Sequence, residues 1–160
     1  MRNESAIEQY GYIWIQLEGD QLTFIASTGG QDQSIHGSVS STRNALEKGN
    51  LTGAKVEDAI NQVEDLIMPL LRSLPANTEL KVSGPELLKI FHMLSATDDA
   101  IVSIASVESL FNQLADYVGG SPIAWRQATS PARVALGLVV LREVMHHGGF
   151  RSVSLMPGTE

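Results

Sequence analysis

The 160-residue chain contains no cysteine. Without thiols it cannot form disulfide bonds, thiolate zinc sites or iron–sulfur clusters, and it has no cysteine nucleophile. Long apolar runs are missing too, because the longest, residues 134–141, is far shorter than the roughly 20 residues of a membrane-spanning helix. The polar N-terminus has no apolar signal core. We therefore expect a cytoplasmic protein that does not enter a membrane.

Positive charge is scarce, since 11 Lys and Arg residues face 18 Asp and Glu residues, for a net charge of −7. A duplex nucleic acid is a polyanion, so this balance disfavours it as a ligand. The last quarter of the chain has the opposite balance, with arginines at positions 126, 133, 142 and 151. These arginines would be the first candidates for a phosphate contact, but solvated helix-face charges are the simpler interpretation.

Length and composition predict a single domain over residues 1–160, with a disordered N-terminus over residues 1–9. A chain of this size buries roughly 70% of the surface that its unfolded form exposes. The hydrophobic content of 43% is ordinary for a globular protein. The sequence contains no internal repeat, no low-complexity tract and no linker long enough to divide it.

The N-terminal part of the chain predicts a three-stranded meander. Residues 10–16 (YGYIWIQ) and 22–27 (LTFIAS) are rich in aromatic and β-branched side chains, and residues 31–39 alternate weakly. Glycines in the turns at 17–20 and 28–30 accept the positive φ that tight hairpins need.

Helices and short strands fill the rest of the chain. The periodicity predicts helices over 41–49 and 52–74, the second kinked or split near Met68 by Pro69, and then a strand over 78–82.

Serines mark the starts of the later helices. Ser83 is expected to form a capping box with Glu86, Ser106 to cap the next helix, and Ser130 to open the last one. The last helix contains RVALGLVVL, which is apolar nearly all round and predicts the most buried helix. A final strand is expected over 150–155. A meander followed by strand–helix crossovers predicts an α/β fold with a mixed sheet.

The last third of the chain resembles a known family. Residues 133–141, 144–145 and 149–154 are similar to the buried helix and following strand in the second domain of the exopolyphosphatase/guanosine-pentaphosphate phosphohydrolase (Ppx/GppA) family. The resemblance spans roughly residues 10–156. It implies the ribonuclease-H-like fold of the group that includes actin, sugar kinases and the Hsp70 ATPase domain.

The family's first phosphate motif is altered in this sequence. Where the family has Asp-Ile-Gly-Gly-Gly-Ser, the resemblance places Ile15 at the aspartate and Leu17 and Glu18 at two glycines, while Gly19 matches and Asp20 replaces the serine. An isoleucine cannot bind a metal or orient water. Carboxylates beside a phosphate would each cost roughly 1 kcal/mol, even when solvated.

The second motif, a Gly-Gly-Thr turn that enters a helix, falls on Ser83, Gly84 and Pro85. Proline removes a backbone N–H donor there, although the helix N-terminus could still accept an anion; a plain cap is the simpler interpretation. If a ligand site exists, we expect it where the 17–20 turn faces the 83–85 turn, a region we call the mouth. Its ligand-binding residues would be Gly19, Asp20, Ser83 and Gly84.

The histidines carry no clear catalytic signal. His146 and His147 point about 100° apart on a helix and cannot easily chelate one ion together. His92 has no predicted partner, and His36 lies between serines that lack a nucleophile-elbow motif. No catalytic residue, metal ligand or cofactor is therefore assigned.

Three functions remain open from the sequence. The first is a non-catalytic binding module that contacts a protein partner, a second copy of itself, or a nucleotide or polyphosphate. The second is the C-terminal half of an active phosphohydrolase, which would need another domain and Mg²⁺. The third is a structural subunit of a homodimer.

Overall fold

The computed structural model describes residues 11–28, 31–72, 79–121, 125 and 130–158. In these residues six strands form one sheet, and five helices accompany it. Some predictions fall outside the described residues, namely those for 1–10, 29–30, 73–74, 78 and Arg126. Among the described residues, no helix is both long enough and apolar enough to cross a bilayer.

The predicted meander is confirmed. It consists of β1 (Tyr12–Glu18), β2 (Gln21–Thr28) and β3 (Gln31–Ser38), paired antiparallel. Alternate residues of β1 are buried, as period-two patterning requires. A two-residue turn joins β1 to β2, and Gly19 in that turn has φ +59°.

The later strands join the meander by helical crossovers. They are β4 (Glu79–Ser83), β5 (Val102–Ser103) and β6 (Ser152–Leu155), and the sheet order is β3-β2-β1-β4-β6-β5. Strand β4 runs parallel to β1, β6 runs parallel to β4, and the short β5 runs antiparallel to β6. The mixed α/β fold predicted from the sequence is therefore confirmed.

Four of the five helices pack around the fifth. The helices are α1 (Ser40–Glu47), α2 (Gly53–Arg72), α3 (Pro85–Leu94), α4 (Ile104–Val118) and α5 (Pro131–Gly148). Helix α5 contacts the four other helices. It is buried from Val134 through Leu141 and again at 143–145, which confirms the expectation drawn from its apolar sequence.

Two predictions about helix α2 and helix α1 need correction. Helix α2 continues unbroken to Arg72, so of the predicted kink or split near Met68 the split is wrong. Pro69 lies near the C-terminal end of the helix, where its missing N–H costs a single backbone bond. Helix α1 spans Ser40–Glu47 and not the predicted 41–49, and Val39 is its N-cap.

Two predicted caps are also replaced. Gly84, not Ser83, precedes helix α3, and no side chain caps that helix. The N-cap of α4 is Ser103, whose side chain accepts a hydrogen bond from the backbone N–H of Ser106. The predicted cap, Ser106, is therefore the third residue of the helix. The sequence did not separate the two serines, because both fit the same local pattern for a helix start.

Candidate functional site

The sheet brings the residues of the mouth together. Strands β1 and β4 are parallel, with Gln16 beside Ser83. The turn after β1 and the turn after β4 therefore lie at the same end of the sheet, as expected. Crevices at such strand ends are common ligand positions in α/β folds. Ligand binding by the mouth itself stays a prediction.

Gly84 lies directly against the backbone of Leu17. A Cβ atom added at Gly84 would be 2.1 Å from the Leu17 carbonyl oxygen, and Gly84 has φ +102°. A glycine is required for so close an approach with this backbone angle. The two turns of the mouth are therefore in contact at this point, and no phosphate-sized space separates Gly84 from Leu17.

The Ser83 hydroxyl faces Trp14 and not its own helix. The indole Nε1 of Trp14 donates a hydrogen bond to Ser83 Oγ at 2.6 Å, and Ser83 is buried. Glu86, the other half of the predicted capping box, is bound by Arg43. The capping box therefore does not form, because both side chains have partners elsewhere in the fold.

Arg43 of helix α1 ties the two sides of the mouth together. Its Nε donates to Asp20 Oδ1 at 2.7 Å, its Nη2 donates to the Gly19 carbonyl oxygen at 2.6 Å, and its Nη1 donates to Glu86 Oε2 at 3.1 Å. A second bond joins Nη2 to Glu86 Oε1. The guanidinium thus spans from the β1–β2 turn to the first turn of α3.

The environment of Arg43 makes it a permanent cation. Its side chain is only 17% exposed. Hydrogen bonds to Glu86 are the largest cause that raises the pKa of Arg43 above its usual range; they outweigh the opposing effect of burial, and Asp20 adds to them. Charge pairing in this geometry, with several bonds from one guanidinium, is the arrangement for which arginine is suited.

The residues of the mouth do not fit a magnesium ion. Mg²⁺ requires oxygen ligands in nearly ideal octahedral geometry. Ile15, which the sequence resemblance places at the family's aspartate, is fully buried and lies between Phe24 and Val82 in the sheet. The carboxylates of Asp20 and Glu86 are already bound by Arg43.

A cavity of about 300 Å³ lies beside the closed mouth. Its lining carries both signs of charge, from Arg43, Glu47, Glu86, Lys89 and Arg133. Such a mixed lining offers donors and acceptors together, which suits a polar surface better than a polyanion.

Sequence reasoning missed Arg43 as a site residue. It belongs to a short helix whose periodicity marks only its buried face, and its partner Glu86 is 43 residues away. No local pattern links the two positions. The register of the sheet and the placement of α1 after β3 bring them together.

The histidines take separate partners. His92 Nε2 lies 2.7 Å from Asp98 at an exposed position, and His36 Nδ1 lies 3.3 Å from Thr23 Oγ1. His146 contacts Glu108 of α4, whereas His147 contacts Glu64 of α2. Adjacent histidines of α5 therefore point to different helices, in agreement with their expected angular separation.

Arg142 differs from the expected solvated helix-face charge. It donates to Glu108 Oε1 at 2.8 Å and to Glu143 Oε2 at 2.7 Å, and its guanidinium carbon lies 4.2 Å from the centroid of the Phe111 ring. The simple interpretation is therefore wrong for this residue, which joins α4 and α5.

Solved structures of the Ppx/GppA family share this fold. The crystal structure of the Aquifex aeolicus family member superposes with a TM-score of 0.66 at 11% identity, covering 94% of this chain and 54% of that one. An exopolyphosphatase-like protein gives a TM-score of 0.68 at 13% identity, with 92% and 56% covered. An exopolyphosphatase from Cytophaga hutchinsonii gives 0.53 at 15% identity, with 93% and 55% covered.

The comparisons support the fold and not an activity. The chain spans about half the length of these solved structures. No protein-family model and no curated protein matches the sequence. The resemblance inferred from the last third of the sequence is thus confirmed at the level of the fold.

Proposed function

We propose that this chain is a non-catalytic relative of the Ppx/GppA domain and acts by binding another protein. The closed mouth carries this proposal. The region that would have to cradle phosphate is occupied by the Gly84–Leu17 contact and by the bonds from Arg43 to Asp20 and Glu86. The ribonuclease-H-like assignment implied by the resemblance belongs to the same proposal.

The chemistry of the turn supports the absence of turnover. Phosphate sites use backbone N–H groups freed by glycines, with a metal or cation to balance charge. Here Leu17 is buried in the core, and Glu18 adds an exposed negative charge. Neither residue can replace the lost glycines or the lost aspartate.

The surface beside the mouth supports a polar protein contact. The cavity near α3 combines Lys89 and Arg133 with Glu47. Among the described residues one large hydrophobic side chain is exposed, that of Ile101, at 75%. Paired charges of both signs favour a partner surface with complementary charges over an apolar one. A second copy of the chain, a nucleotide or a polyphosphate are the competing ligands.

Phosphate release tests the absence of turnover. The chain is incubated with long-chain polyphosphate and with guanosine pentaphosphate in the presence of Mg²⁺, next to the C. hutchinsonii exopolyphosphatase as a positive control. We expect release equal to that of a protein-free blank. Turnover by this chain alone would overturn the proposal.

Calorimetric titration with ATP and with tripolyphosphate separates a phosphate ligand from a protein partner. We expect no saturable heat from either compound, because the mouth is closed and the nearby cavity carries acids. Saturable binding that is lost in Lys89→Met would show that the ligand is a phosphate compound and not a protein partner. Light scattering of the free chain detects a homodimer.

The half-length coverage favours one second candidate. The chain could supply half of an active phosphohydrolase, because it spans 54–56% of two solved relatives. Mixing it with the isolated complementary domain of the Aquifex aeolicus protein and Mg²⁺ would then produce phosphate from polyphosphate. Release no greater than that of the added domain alone would reject this candidate.

A further inference from the structure

Three ligating side chains meet on helices α2 and α5, away from the mouth. They are Glu64, Glu143 and His147, which we call the helix cluster, and one ligand atom from each lies within 4.8 Å of the others. Glu143 and His147 are four residues apart, so they share one face of α5. Glu64 reaches this face from α2, which packs along α5.

The topology separates the helix cluster from the mouth. Strand β6 runs parallel to β4, with Lys81 beside Ser154, so β6 begins at the end of the sheet opposite Ser83. Helix α5 ends four residues before β6, and its C-terminus therefore lies at that opposite end. Nothing at the mouth contributes to the helix cluster.

The distances within the helix cluster match those around a small divalent ion. His147 Nε2 lies 2.9 Å from Glu64 Oε2 and 3.3 Å from Glu143 Oε1. An ion with bonds of about 2.0–2.1 Å separates neighbouring ligands by about 3.0 Å in octahedral geometry and about 3.3 Å in tetrahedral geometry. Both distances from His147 therefore suit one shared ion, and the Glu64 and Glu143 oxygens that would complete the set lie within 4.8 Å of each other.

The burial of Glu143 creates a need for positive charge. Its side chain is only 3% exposed, and its Oε2 accepts the hydrogen bond from Arg142 while Oε1 faces His147. Two carboxyl groups brought together in a partly buried site are stabilised by a cation or a shared proton.

We propose that Glu64, Glu143 and His147 bind one divalent transition-metal ion, with Zn²⁺ as the best match. Imidazole nitrogen and carboxylate oxygen are both zinc ligands, and water would complete the coordination of these three side chains. Mg²⁺ and Ca²⁺ fit less well because they prefer oxygen ligands alone. Arg142 holds Glu143 in place, as outer partners of metal ligands commonly do.

The bound ion would join α2 to α5. A ligand that binds only the folded state stabilises it in proportion to its occupancy. Glu64 and His147 have side chains 35% and 31% exposed, so an ion can reach the site from solvent. The inference concerns a different part of the fold from the mouth, and it stands or falls independently of the function proposed above.

Calorimetric titration of the metal-free full chain with ZnCl₂ tests the proposal. We expect one saturable site and a higher melting temperature with Zn²⁺, and no comparable binding of Mg²⁺. Glu64→Gln and His147→Gln should each weaken Zn²⁺ binding at least tenfold and abolish the thermal shift. Both side chains are partly exposed and both changes conserve size, and far-UV and near-UV circular dichroism of the metal-free variants verifies folding.

His146→Gln is the matched control. His146 lies next to His147 but contacts Glu108 on a different helix, so this variant should bind Zn²⁺ as tightly as the unchanged chain. Three results would each overturn the proposal: no saturable Zn²⁺ binding, unchanged binding in His147→Gln, or an equal loss in His146→Gln. The last would indicate a loose surface histidine patch in place of the helix cluster.

Discussion

The mouth and the helix cluster both gather acidic side chains from distant parts of the chain, but they balance the charge differently. At the mouth, Asp20 and Glu86 meet the guanidinium of Arg43. In the helix cluster, two glutamates meet the neighbouring imidazole of His147. A permanent cation closes a site, whereas an imidazole leaves a place that a metal ion can take.

The largest expected effect comes from the closest contact at the mouth. Gly84→Ala forces a Cβ atom into the Leu17 carbonyl oxygen and imposes a positive φ on alanine. We expect a loss of about 3 kcal/mol in the free energy of unfolding, because steric overlap adds to backbone strain. Urea denaturation followed by circular dichroism measures it.

Gly19→Ala separates the two contributions. Gly19 also has positive φ, but a Cβ atom added there would meet nothing within 4 Å. Only the conformational cost of about 1 kcal/mol should remain. If the two variants lose equal stability, the two turns of the mouth do not press against each other as described.

Arg142→Met should have the next largest effect, on the side of the helix cluster. The change removes bonds to Glu108 and Glu143 and leaves the buried carboxyl of Glu143 without its cation. We expect a loss of about 2–3 kcal/mol, below the full cost of breaking a buried pair because Arg142 is partly exposed.

A double variant checks the reason for this loss. In Arg142→Met combined with Glu143→Gln, the amide needs no cation. The double variant should therefore lose less unfolding free energy than the sum of the losses in the two single variants. Simple additivity would mean that Arg142 acts through Glu108 and through its packing on Phe111, and not through Glu143.

Arg43→Met opens the mouth at a smaller cost. The bonds to Asp20, Gly19 and Glu86 are lost, but Asp20 remains half exposed and is readily solvated. We expect a loss of about 1–2 kcal/mol in unfolding free energy. The variant should still release no phosphate from polyphosphate, since Ile15 keeps its place in the core.

Arg133→Met is the matched control for Arg43→Met. Arg133 lines the same cavity, and in the described part of the chain no salt bridge involves it. Its loss should change stability by less than about 0.5 kcal/mol. Equal effects of the two variants would show that net charge, and not the bonds across the mouth, sets the stability.

Local patterns were sufficient for most elements of the fold, but not for β5. The period-two burial of Ile13, Ile15 and Leu17 follows from alternation along one strand. The burial of α5 follows from its apolar run. Strand β5 has two residues, which is too short for any period to appear.

The pairings of the two polar regions could not be predicted in the same way. Trp14 and Ser83 are 69 residues apart, and Glu64 and His147 are 83 residues apart. Glu64 is only partly exposed, and the packing of α2 on α5 gives it its partner. Side-chain pairs of this kind depend on sheet order and helix placement.

The smallest expected effect is a pH dependence beside the helix cluster. Burial raises the pKa of Glu108, but bonds from Arg142 and His146 outweigh it and hold the pKa below the ordinary value of 4.5. A carboxyl whose pKa is lower in the folded state stabilises the fold above its unfolded pKa and loses that contribution as the pH falls through its folded pKa. Glu108→Gln has no such proton to bind. The difference in urea midpoint between the unchanged chain and this variant should therefore shrink between about pH 5.5 and about pH 3. A difference that is the same at both pH values would mean that Glu108 contributes through neutral hydrogen bonds alone. The mouth and the region beside the helix cluster would then differ less in how they balance charge than their contacts indicate.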